Sequence, residues 1–194
     1  MKLKSVFAVL KAVILVVVVV AAVIAFFSYD VIESIEIADD VPHVKTITHT
    51  MKNGRTMDVI VTDRMTVGRD GVYNIKLLIK QNHLKSTYEY NVRNMRAVLS
   101  LPKDAVIVSA SCNDANEQFR PEIEEVGNRL HLTFACTSDY LDVDLKIEGL
   151  NSFEPTLDLY YDIYGNGLRV LSRFLGQQQR LELNLLDEEE EEKS

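Results

Sequence analysis

From His43 to Leu186 apolar and polar residues alternate with a period of two. Successive side chains of a strand point to opposite faces, so this pattern requires strands with one face buried. HVKTITHTM (residues 43–51) and MDVIVT (57–62) flank Asn53-Gly54, a two-residue hairpin signal. Asp70-Gly71 turns the chain into VYNIKLLIK (72–80), which sets Tyr73, Ile75, Leu77 and Ile79 on one face. Tyr88, Tyr90 and Val92 align in the next segment. Met95, Ala97, Leu99 and Leu101 align in the one after, which Pro102 stops. Residues 105–112, 129–136, 141–148, 156–164 and 180–186 alternate in the same way. Gly127-Asn128 turns the chain before residue 129, and residues 113–125 read as a polar loop. About nine short strands between turns predict a mainly β fold, an antiparallel β-sandwich of immunoglobulin-like or jelly-roll-like type. Leu168, Leu171, Phe174 and Leu175 are spaced for one short helix, with Gly176 as its cap.

A different rule governs residues 5–27, SVFAVLKAVILVVVVVAAVIAFF, where Lys11 is the one charge. A helix of this length is about 35 Å long, against about 30 Å of hydrocarbon. The segment reads as an N-terminal transmembrane signal anchor over 1–27, with the lipid bilayer as a partner through residues 5–27. Lys2, Lys4 and Lys11 open it, and Asp30, Glu33, Glu36, Asp39 and Asp40 follow. Positive residues stay cytoplasmic, so the expected location is a single-pass membrane protein with a cytoplasmic N-terminus and an extracytoplasmic body. Val23-Ile24-Ala25 would suit a cleaved signal peptide, the rival reading. Domain organisation is then an acidic stalk at 28–41, a β-sandwich domain at 42–186 and a disordered acidic tail at 187–194.

Of the net charge of −8, the tail contributes −5 and the three N-terminal lysines +3, which leaves about −6 on the body. An acidic body repels phosphate backbones, so no nucleic-acid partner is expected. The two cysteines, Cys112 and Cys136, sit on the apolar faces of their strands, and in an exported domain such a pair predicts one disulfide.

Chemistry-bearing constellations are sparse. His43 and His49 lie six strand positions apart, about 20 Å, too far to share a metal. They read as ordinary surface or strand histidines, with His83 in a turn and His131 pointing outward. Asp142, Asp144, Asp158 and Asp162 read as outward residues of amphipathic strands. No phosphate loop, nucleophile elbow or dinucleotide fingerprint occurs, and no cofactor, metal or catalytic residue is expected. Tyr160 and Tyr164 fall on the face opposite Leu157, Leu159 and Ile163. If that face is solvated, they form an aromatic strip of the kind that binds a partner.

The run LSLPKDAVIVSAS, a loop, then GNRLHLTFAC and LDVDLKIEGL resembles the immunoglobulin-like repeats of bacterial surface proteins, over residues 95–150. That resemblance implies a structural or adhesive role with no catalytic residues. The sequence therefore predicts a binding or scaffold module for another envelope or membrane protein, and not an enzyme. A subunit of a pilin-like surface filament and an exported hydrolase are the alternatives.

Overall fold

The computed structural model describes residues 2–27, 31–68, 71–83, 90–113, 118–148, 156–165 and 176–185. One helix, α1 (Lys2–Phe27), precedes twelve strands among these residues. They are β1 (Ile32–Val41), β2 (Val44–Met51), β3 (Thr56–Val67), β4 (Tyr73–Gln81), β5 (Tyr90–Pro102) and β6 (Val106–Asn113), then β7 (Gln118–Phe119), β8 (Glu122–Val126), β9 (Arg129–Ala135), β10 (Tyr140–Glu148), β11 (Thr156–Gly165) and β12 (Gln177–Asn184).

Two antiparallel sheets form the sandwich. Sheet A runs β1-β2-β3-β4-β10-β6-β7, and sheet B runs β12-β11-β5-β9-β8. The core lies between them, where the alternation of the sequence put it. Ile47 and Met51 of β2, Val59 and Val61 of β3, and Leu141 and Leu145 of β10 meet Leu99 and Leu101 of β5, Phe134 of β9 and Leu157 of β11, all buried. Removing one such side chain from water stabilises by about 1.5–3 kcal/mol.

The Asn53-Gly54 hairpin forms between β2 and β3. Gly54 takes a φ of 79°, which an L side chain rarely adopts, and its N–H bonds the Met51 carbonyl at 2.8 Å. Residues 90–92 of the segment expected at 84–92 share one strand with the segment expected at 95–101, and residues 84–89 lie outside the described residues. Their buried residues change parity, from Tyr90 and Val92 to Met95 and Ala97. A bulge causes the change. Tyr160 pairs with Arg96 and Asp162 with Arg93, so two residues, Asn94 and Met95, oppose Tyr161. Asn94 absorbs the extra residue at a φ of 54°.

Three expectations are corrected here. First, most of the expected acidic stalk, residues 28–41, is β1, which pairs along β2 and belongs to the sandwich. Its Ile35 and Ile37 are exposed, so no buried face marked it. Second, the expected loop at 113–125 carries β7 and the start of β8. Every residue of β8 is exposed, which erases the alternation. Third, the expected membrane anchor and extracytoplasmic location do not stand: among the described residues no helix is long and apolar enough to cross a membrane. The bilayer partner through residues 5–27 falls with it. The helix expected over 168–175 and the tail at 187–194 lie outside the described residues.

Candidate partner-binding face

On β11 the odd residues Leu157, Leu159, Tyr161 and Ile163 are buried, and the even residues Tyr160 and Tyr164 lie half-buried on the outer face of sheet B. Sheet register then decides what surrounds them. Tyr160 is paired with Arg96 of β5 on one side and Arg180 of β12 on the other. Side chains opposite one another across strands meet on the same face, so both guanidinium groups reach the ring. Arg96 stands 4.3 Å from the ring centroid and Arg180 5.5 Å. Arg93 stands 5.6 Å from the centroid of Tyr164. These are cation–π contacts.

Two carboxylates complete the row. Asp158 lies 3.7 Å from Arg180, and Asp162 accepts a hydrogen bond from the Asn94 side chain at 2.7 Å. Arg93 and Arg96 lie three residues apart yet share this face, because the bulge at Asn94 takes up the odd residue. Gly176 approaches Tyr164 from the start of β12. A Cβ built there would lie 2.6 Å from the ring. This glycine, whose expected role as a helix cap lies beside residues outside the described ones, makes room for an aromatic ring.

One residue along the strand the environment inverts. Tyr161 is 1% exposed and its hydroxyl is hydrogen-bonded to Nε2 of His49, which is itself fully buried. The rings meet edge to face. This pair crosses the core from sheet A to sheet B. Burial disfavours the imidazolium and pulls the His49 pKa down to about 4, and burial likewise raises that of Tyr161. Nδ1 of His49 has no hydrogen-bond partner among the described residues. A second polar tie joins the sheets at Gln81. Its side chain donates to the Tyr90 carbonyl at 2.8 Å and accepts from the Val92 amide at 2.9 Å.

His49 is thus no surface histidine. The signal was present in the sequence, since His49 shares its parity with Ile47 and Met51. The other histidines do not converge. His83 pairs with Asp139 at 2.7 Å in an exposed site. Asp142 and Asp144 lie on the outer side of β10, where Asp144 is 3.8 Å from Lys76. Among the described residues no three His, Cys, Asp or Glu side chains form a group that could hold a metal.

Cys112 and Cys136 are buried thiols, and the expected disulfide is not formed. Cys112 sits opposite Val143 of β10. Sγ of Cys136 instead lies 3.4 Å from the carbonyl of Tyr140, at the start of β10. Val143 is about 10 Å along the strand from Tyr140, whereas a bridge requires Cα atoms within about 7 Å. Each strand presents its cysteine inward as expected, but at different levels of the sandwich.

Fold and face together define a two-sheet β-sandwich with a tyrosine–arginine row on one outer surface. No protein-family model matches the chain, and no curated protein matches it. Among solved structures it is similar to the GAE domain of GGA2p from Saccharomyces cerevisiae, at 10% identity and a TM-score of 0.34, covering 79% of this chain and 98% of that one. The yeast GGA1 GAE domain is similar at 9% identity and a TM-score of 0.33, covering 79% of this chain and all of that one. Likenesses this remote carry no function across.

Proposed function

We propose that the protein is a protein-binding module rather than an enzyme, and that the outer face of sheet B around Tyr160 is its contact surface. The observation that carries this reading is the in-register row Arg96–Tyr160–Arg180. Tyrosine and arginine are the residue types that most often dominate interface energetics, because each offers a large flat surface with polar atoms at its end. Here the rings are held by their neighbours in the sheet, so little side-chain freedom is lost on binding. Three guanidinium groups around two rings favour a partner that presents carboxylates or carbonyl oxygens. The likeness of residues 95–150 to immunoglobulin-like surface repeats belongs to the same reading.

The test compares partner capture from native extract by the wild-type chain with capture by Tyr160→Ala and Arg96→Glu, each checked for folding by circular dichroism. A protein enriched by the wild type and lost from both variants is the expected result. Equal enrichment by all three would remove this face from the account.

A further inference from the structure

The two sides of the sandwich end differently. On one side sheet A finishes at β6, because the two-residue β7 pairs only with Cys112 and Asn113. The outer edge of β6 from Val106 to Ser111 has no strand partner among the described residues. Two of the usual guards of an edge strand, charged side chains and proline, are missing from it. β6 reads VIVSASCN, with no charge and no proline. Val106 is 56% exposed and Val108 50%.

Beside this edge the sheets part. A cleft of about 360 Å³ opens between β6 and the start of β8, walled by Ile107, Val108, Ala110, Pro121, Ile123 and Arg120. A bulge builds its apolar wall. Lys146 pairs with Ser109 and Ile147 with Ile107, so Val108 is the extra residue, and both Ile107 and Val108 line the cleft. Ile123, 54% exposed, faces them from sheet B. Arg120 is the one charged residue on these walls, and it makes no ion pair among the described residues.

We propose that this edge and cleft receive an extended segment of a partner protein, which adds to sheet A as a strand beside β6. Main-chain hydrogen bonds to Val106–Ser111 hold it, over about six residues or 20 Å. Its alternate apolar side chains enter the cleft, and one carboxylate pairs with Arg120, whose planar fork suits bidentate contact. A second copy of this chain is disfavoured by the net charge of −8 that both copies would carry. The site is separate from the Tyr160 row, since β11 and β8 are three strands apart in sheet B.

The experiment is selection of a displayed library of random octapeptides on the purified full chain. Affinities of the enriched peptides are then measured by fluorescence anisotropy against the wild type, Arg120→Glu, Val108→Lys and Tyr160→Ala. Enriched sequences should alternate apolar residues and carry an acidic one. They should bind Arg120→Glu and Val108→Lys about tenfold more weakly or worse, and bind Tyr160→Ala unchanged. Amide hydrogen exchange in β6 should slow when peptide is added. No enrichment, or enriched peptides that bind Arg120→Glu as tightly as the wild type, would overturn the proposal. So would protection of β6 without peptide in a species of twice the monomer mass, which would assign the edge to a second copy.

Discussion

Tyr160 and Tyr161 are consecutive residues of one strand with opposite surroundings. Tyr161 points into the core and is hydrogen-bonded to His49 from the other sheet. Tyr160 points outward and lies between two arginines of its own sheet. The pleat sorts them into core and surface, but register chooses their neighbours. The inner ring ties the sheets together, while the outer ring is kept presentable. Stability and binding should therefore separate cleanly between adjacent positions.

The largest effect should come from Tyr161→Ala, which empties a fully buried site. A loss of about 3–5 kcal/mol in denaturant unfolding is expected. A loss below about 1 kcal/mol would show that the inner ring is not a core element.

Acid should act through the partner of that ring. The pKa of His49 in the folded chain is about 4, below its ordinary 6.5, so the folded state holds fewer protons than the unfolded chain. The resulting stability is complete above pH 6.5 and is lost as pH falls from 6.5 towards 4. A shift of this size corresponds to about 3 kcal/mol. Unfolding at pH 7 and pH 4.5 checks it, with His49→Gln expected to flatten the difference. An equal pH slope in both chains would contradict the assignment.

A smaller change, Tyr161→Phe, keeps the ring and removes the hydroxyl, leaving Nε2 of His49 without its bond. The expected cost is about 1–3 kcal/mol.

The smallest effect on stability belongs to Tyr160→Ala, about 1 kcal/mol or less, because cation–π contacts at exposed sites are worth about 0.5–1 kcal/mol each and the arginines regain water. If this substitution destabilised as much as Tyr161→Ala, the contrast between the two positions would collapse.

The same contrast explains what could be read from the sequence. Strand positions and inward faces were legible because alternation records burial directly, as at Leu157, Leu159 and Ile163. Edges were not, since Ile35 and Ile37 of β1 and Ile123 of β8 are exposed, so apolar residues there mark no buried face. The bulge at Asn94 was visible only as a change of parity between Val92 and Met95, which also looks like two strands. Tyr160 and Tyr164 were placed on the outer face by parity alone. Arg96 and Arg180 lie 64 and 20 residues from Tyr160, and only register brings them to it. The expected bridge between Cys112 and Cys136 erred for the same reason: parity set both thiols inward, but depth along β10 separates them.

The most direct test of the central claim uses one sample for both properties. Tyr160→Ala is unfolded in denaturant and, in parallel, titrated against the partner captured by the wild type. The expected result is an unfolding midpoint close to that of the wild type and partner affinity weaker by about tenfold or more. Unchanged affinity in a chain of unchanged stability would contradict it.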